Sequence, residues 1–272
     1  MNSAIKCKEI TKSFYERRAI SESKGTFLGW GGKKRRLSAV DSLDLEVERG
    51  EIFGIVGPNG SGKSTLVRLI STLLLPDKGQ IEVFGLDVVK QRFQVRRMIN
   101  RVSVDAAFFK KLSCWENLSY AARLYGVPIK EAKGRAIEIL KTFGFQKGKI
   151  NQPMENLSRG MQQMVAIARA YFTSPVLLLL DEPTTGLDPK SKRQVQKFIL
   201  KVREGHDSTV LITTHDMDEA DRICDRVAII DQGRFVALDT PENLKLMVKG
   251  EREEVSLEDV FMELTGKGWE EE

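Results

Sequence analysis

Nine consecutive residues constrain this chain more than any others: Gly57, Pro58, Asn59, Gly60, Ser61, Gly62, Lys63, Ser64 and Thr65. They keep the spacing G-x-x-x-x-G-K-[ST] between an apolar run at 52–56, which reads as a strand, and a segment at 63–75, which reads as a helix. Gly57, Gly60 and Gly62 let the backbone turn tightly, so that its N–H groups wrap a phosphate. The helix that follows points its positive end at the same anion. In that setting Lys63 reaches the β- and γ-phosphates of a nucleotide, and the Ser64 hydroxyl binds Mg²⁺. Without the strand and helix around it, the stretch is only a glycine-rich turn.

The rest of the chain alternates strand and helix signals, the mark of an α/β protein with a mainly parallel sheet. Strands are expected at 42–48, 52–56, 80–84, 176–180, 209–213 and 227–230. From about 90 to 174 the pattern is mostly helical, with Leu118, Ala121, Ala122 and Tyr125 spaced for one buried face. The stretch 15–38 is irregular and rich in Gly, Ser and basic residues, with Phe27 and Trp30 embedded, and reads as an inserted loop.

Composition narrows the class. With 272 residues, 41% of them hydrophobic and 30% charged, the chain has enough apolar matter for a packed core. Apolar runs such as 176–180 fall far short of the about 18 residues needed for a membrane span. The first ten residues lack the apolar centre of a secretory signal. Cys7, Cys114 and Cys224 are odd in number and far apart, which argues against a disulfide framework or a thiolate metal site and for a cytosolic setting. The net charge of +5 is uneven: residues 1–40 hold ten Lys and Arg against three Glu, whereas 251–272 hold nine acids against two bases. A basic end meets nucleic acid, anionic lipid or an acidic partner, or is simply a solvated surface.

A second chemical element follows the apolar run at 176–180: Asp181, Glu182 and Pro183. A buried strand ending in a carboxylate places Asp181 at the carboxyl edge of the sheet, where open α/β sheets bind ligands. There Asp181 suits Mg²⁺ and its waters, and Glu182 suits the orientation or deprotonation of an attacking water. Standing alone, two acids after an apolar strand are common.

The segment Leu157-Ser158-Arg159-Gly160-Met161-Gln162-Gln163 changes the reading from a general phosphate binder to a family. With the two elements above, the chain resembles the ABC-type ATPases, whose signature LSGGQ lies shortly before the Asp-Glu strand. Thr185-Gly186-Leu187-Asp188 is similar to that family's D-loop, and the stretch from Thr213 through His215 to Ala220 to its switch-histidine segment. Phe14 matches the aromatic that stacks on adenine; a strand-end core aromatic is the plainer reading, and Tyr15 is a substitute.

Three departures stand out. Arg159 and Met161 occupy positions where the commonest signature has Gly and Gln, although Ser158 and Gly160 remain. The family's Q-loop glutamine is expected near Val104 and Asp105, and no Gln is present there, leaving Asp105 as a substitute. The third is the basic insertion after Phe14. The segment Phe108-Phe109 to Leu118, the Arg-Gly-Met signature and the ending from Leu257 to Gly266 resemble exporter ATPases encoded apart from their permease, serving drugs, antibiotics, lipids or polysaccharides.

The resemblance implies a single P-loop NTPase domain: a RecA-like mixed-sheet core at about 1–90 and 165–240, a helical subdomain at about 91–164, and a C-terminal helical extension at about 241–272. It implies ATP and Mg²⁺, two ATPase subunits sandwiching two ATPs (a homodimer first, a heterodimer being the alternative), and polytopic membrane permease subunits at the cytoplasmic face. One half of each site holds Lys63, Ser64, Asp181, Glu182 and His215; the other holds Ser158 and Gly160, and Asp188 of the D-loop-like stretch is a further ATP-binding residue. Phe108 and Phe109 are candidate permease contacts or a core pair. Lys33 to Arg36, with Trp30, suit an anionic membrane surface better than nucleic acid, which is not expected. The competing readings are a soluble assembly or nucleic-acid-associated ATPase, and a binding module without hydrolysis.

Overall fold

In the computed structural model the described residues are 3–17, 34–104, 106–206, 208–250, 252 and 254–266. The first half runs β1 (Ser3–Arg17), β2 (Lys34–Glu48), β3 (Ile52–Val56), α1 (Lys63–Ile70), β4 (Lys78–Val83), β5 (Leu86–Asp87), α2 (Arg92–Met98) and β6 (Ile99–Val102). Helices α3 (Cys114–Leu124), α4 (Ile129–Thr142) and α5 (Arg159–Tyr171) follow. The second half alternates β7 (Leu177–Asp181), α6 (Pro189–His206), β8 (Thr209–Thr214), α7 (Met217–Ile223), β9 (Arg226–Asp231) and β10 (Arg234–Asp239). Helices α8 (Pro241–Val248) and α9 (Leu257–Thr265) close the described chain.

Two sheets form the frame. The larger has the order β10-β9-β3-β8-β7-β6, parallel from β9 to β6 with β10 antiparallel at one edge. The smaller is antiparallel, in the order β2-β1-β4-β5. The central strands β3 and β7 are buried along their whole length, and β8 and β9 carry apolar centres, because both faces of the sheet are covered there. Val56, Leu178, Leu180, Val210 and Ile212 pack on one side with α5, α6 and α7, while Phe53, Ile55, Leu179 and Leu211 pack on the other with α1 and the smaller sheet. That alternation sends successive residues of one strand into different cores.

The structure changes three expectations. Residues 15–17 and 34–38 are not loop: they extend β1 and β2, with Phe14 opposite Leu37 and Tyr15 opposite Arg36. Phe27, Trp30 and Lys33 lie outside the described residues, as do Asp105 and the acidic end 269–272. Second, β6 interrupts the stretch expected to be helical and pairs with β7 as an edge of the larger sheet. Third, α1 ends at Ile70, capped at Ser71, rather than at 75. At the other end, α9 buries Leu257, Val260 and Phe261 in the core shared with α5, α6 and α7.

Candidate functional site

The glycine-rich turn connects β3 to α1 at the carboxyl edge of the larger sheet. Gly62 caps α1 with φ +111°, and a Cβ there would lie 2.2 Å from the carbonyl oxygen of Ala39. A Cβ on Gly57 would lie 2.2 Å from the Ile230 carbonyl oxygen, so neither position accepts a side chain. Pro58, Asn59 and Gly60 form the outer side of the turn, with Asn59 and Gly60 exposed; Thr65 lies in the first turn of α1. Within the turn the Ser61 hydroxyl is buried and has no hydrogen-bond partner, an orphaned polar atom of the kind an oxyanion satisfies.

Lys63 is only 4% exposed. Its Nζ donates to the carbonyl oxygens of Gly57 (2.6 Å) and Pro58 (2.9 Å) and lies 3.6 Å from Glu182 Oε1. Burial lowers its pKa, against the upward pull of Glu182 and then Asp181. Ser64 Oγ donates to Asp181 Oδ1 at 2.9 Å, and Thr213 Oγ1 donates to the same oxygen at 2.8 Å. The other oxygen, Oδ2, faces Arg101 Nη1 at 3.7 Å.

Glu182 has φ +49°, a left-handed conformation uncommon for a residue with a side chain. It is held there from several sides: its N–H donates to the Thr213 carbonyl oxygen (2.9 Å) and Oγ1 (3.2 Å), and its Oε2 accepts from Thr185 Oγ1 (3.1 Å). His215 Nδ1 stands 3.2 Å from the same Oε2. Strain over-determined in this way aims a side chain at a fixed point, here the mouth of the turn beside Lys63.

A second group forms elsewhere on the chain. Ser158 caps α5, accepting the Met161 N–H at 3.3 Å, and is exposed. Gly160 is buried, and a Cβ on it would lie 2.4 Å from Ser191 Oγ. That hydroxyl donates to Asp188 Oδ2 at 2.5 Å, and this bond leads the effects that hold Asp188 below the usual carboxylate range. Arg159 crosses to the D-loop: a Cβ on Gly186 would meet its Nη1 at 2.9 Å. The structure thus gathers Lys63, Ser64, Asp181, Glu182 and His215 into one cluster, and Ser158, Gly160 and Asp188 into another with its own partners.

Phe14 is 42% exposed, with Lys12 Nζ 5.9 Å from its ring centroid, so it is not the core aromatic of the plainer reading. Phe108 and Phe109 part company. Phe108 packs on the core under the Arg169 guanidinium, 4.7 Å from its ring, whereas Phe109 is half exposed and meets Tyr120 edge-on at 5.2 Å. Phe109, Tyr120, Leu124, Tyr125 and Arg101 line a groove of about 380 Å³. Thr213 and Arg101 are site residues to which sequence reasoning gave no individual role; both meet Asp181 from neighbouring strands.

Comparison with known proteins decides the family: residues 40–185 match the model of the ABC transporter family. The chain belongs to that family. It is 41% identical over 229 residues to the daunorubicin resistance ATP-binding protein DrrA3 of Streptomyces coeruleorubidus, a match covering 84% of this chain and 70% of that protein. It is 38% identical to the methionine import ATP-binding protein MetN 1 of Oceanobacillus iheyensis, over 75% of this chain and 61% of that protein. Among solved structures it is similar to the dimeric post-hydrolysis state of the ATP-binding cassette MJ0796 bound to ADP and Pi (TM-score 0.74, 27% identity, 87% of this chain and 98% of that one). The chain is therefore an ABC-type ATPase, the ATP-binding subunit of a transporter. No helix among the described residues is long and apolar enough to cross a membrane.

Proposed function

We propose that this ABC ATPase powers an exporter of drug-like or antibiotic molecules, with two copies closing over two ATPs and passing that motion to separate membrane subunits. One observation carries the two-copy part: Lys63, Asp181, Glu182 and His215 converge, whereas Ser158 and Gly160 make their contacts in a different cluster. A second copy facing the first supplies the Ser158 and Gly160 surface to each ATP. The export direction follows from the daunorubicin resistance relative, which matches more of this chain at higher identity than the methionine import relative.

Mg²⁺ fits the residues present. The Ser64 hydroxyl and the Asp181 carboxylate are hard oxygen donors already within 2.9 Å of each other, and the orphaned Ser61 hydroxyl lies in the turn that leads to Ser64. When bound there, the metal neutralises charge on the phosphate oxygens. The protein's own residues do the rest. Lys63 turns its ammonium to the β- and γ-phosphates. Glu182 takes the proton of the attacking water as the water oxygen bonds to the γ-phosphorus and the bond to the β–γ bridging oxygen breaks. His215, on Glu182 Oε2, holds that carboxylate in line. Phe14 stacks on the adenine, and Asp188 sets the signature against the partner's site. The groove beside Phe109 and Tyr120 suits an apolar segment of the membrane subunit.

Affinity purification of a tagged Glu182→Gln variant from its native cells, in mild detergent with Mg-ATP, tests the assignment. A polytopic membrane protein recovered in stoichiometric amount is the expected result. Recovery of soluble proteins or RNA alone overturns it in favour of an assembly or nucleic-acid role.

A further inference from the structure

The carboxylate of Asp181 is 4% exposed and therefore needs compensation. Its Oδ1 receives two neutral hydroxyls, from Ser64 and Thr213. Lys63, the cation of the turn, is engaged with Glu182 Oε1 and two carbonyl oxygens. The cation beside Asp181 comes instead from β6: Arg101 Nη1 lies 3.7 Å from Oδ2, with its side chain 23% exposed. Backbone register explains the reach, because Arg101 lies opposite Leu179, two residues before Asp181 on the neighbouring strand. No glutamine occurs between Arg101 and Phe109, so this guanidinium is a polar group that β6 itself brings to the site.

We infer that Arg101 is a positioning residue for Asp181: by holding Oδ2 it keeps the Oδ1 edge turned to Ser64, the edge a divalent cation needs. The inference rests on the reading of Asp181 as a metal carboxylate. A charged partner on the outer oxygen fixes the orientation of a ligating carboxylate, and losing such a partner weakens metal binding by about 10–100-fold. Arg101 also lines the groove beside Phe109, so the residue that steadies the metal carboxylate borders the surface suited to a membrane subunit.

Mn²⁺ binding to the full chain in the presence of ADP, followed by electron paramagnetic resonance, tests this directly. ADP affinity in EDTA and the melting temperature are measured on the same samples. Arg101→Gln is expected to weaken Mn²⁺ binding by about tenfold or more, while Arg101→Lys, which keeps the charge, recovers most of the loss. ADP affinity in EDTA is expected to stay within about twofold, because the arginine acts on the metal edge rather than on the nucleotide. Asp181→Asn separates the two claims. If it leaves Mn²⁺ binding unchanged, the metal reading of Asp181 falls. If it weakens binding while Arg101→Gln does not, the inference about Arg101 falls alone. Equal losses in the Lys and Gln variants, or an equal loss of ADP affinity in EDTA, also overturn it. Should the Gln variant not fold, Arg101→Met takes its place in the comparison with the Lys variant.

Discussion

Lys63 and Glu182 form a largely buried ion pair, Nζ to Oε1 at 3.6 Å, with side-chain exposures of 4% and 12%. On the proposed function, the phosphate-binding cation and the water-activating carboxylate hold each other until phosphate oxygens compete for the lysine. Neutralising the carboxylate leaves its shape intact and removes its basicity. Glu182→Gln is expected to lower the turnover of ATP by at least about 10²-fold while ATP is still bound. Phosphate release, read beside gel filtration, checks this: slow release with accumulation of a dimer in ATP is the expected outcome, and unchanged release excludes Glu182 as the base.

The contact between Gly160 and Ser191 makes a second prediction. A methyl group at 160 would press on Ser191 Oγ at 2.4 Å and Cβ at 2.7 Å, and so force the start of α5 away from the start of α6. Gly160→Ala should reduce ATP-driven dimerisation, measured by light scattering in the Glu182→Gln background, and lower the melting temperature by a few degrees, since overpacking costs about 1–3 kcal/mol. The double variant Gly160→Ala with Ser191→Gly removes the obstacle and should restore part of the association. No rescue would show that the glycine serves another need.

Phe14 offers an exposed ring at the outer part of β1. Stacking of an aromatic side chain on a base contributes about 1–3 kcal/mol, so Phe14→Ala should raise the KM for ATP about tenfold with kcat nearly unchanged. Tyr15→Ala should do much less. The opposite order would move the adenine contact to Tyr15, which is the more exposed of the two rings.

Alkaline stability is set in part by buried thiols. Burial, aided at Cys7 by the charge of Asp44, pushes Cys7 and Cys114 up to about 12 from an ordinary value of 9.0. Between those values the unfolded chain has released protons that the folded chain still holds. Stability therefore falls as pH rises through that window, by about 1.4 kcal/mol per pH unit for each thiol. Urea melts at pH 8 and pH 10 should show the loss, and a Cys7→Ala/Cys114→Ala variant should lose less over the same interval. All three thiols should resist a disulfide reagent in the native protein and react with it in urea, since Cys224 is buried as well.

What the sequence made legible was local. The glycine turn, the Asp181-Glu182 pair and the segment from Leu157 to Gln163 each lie within a few consecutive residues. Strands β3, β7, β8 and β9 were readable as apolar runs because both faces of the larger sheet are covered. Strand β6 was not, since it has four residues, follows a helix and carries Asn100 and Arg101. Thr213 bonds Asp181 across adjacent strands, 32 residues away in the chain, and Arg101 reaches it from the other side. Such pairings depend on strand order and register, which no single segment encodes. The same holds for Glu219, which is fully buried on hydrogen bonds from Thr184 and Gln196.

Helix α5 runs from Ser158 to the edge of the larger sheet. Ser158 caps one end, and at the other Asn100 Nδ2 donates to the Ala170 carbonyl oxygen at 2.6 Å and to Thr173 Oγ1 at 2.8 Å, tying the helix to β6. Its 13 residues make a rod ~20 Å long. With the far end pinned, a swing of about 15° carries the cap serine through roughly 5 Å, more than the length of a hydrogen bond. On the proposed two-copy function the helix is a lever, with its fulcrum on the sheet edge that carries Arg101 and its tip at Ser158, so that a small tilt would engage or release a facing nucleotide.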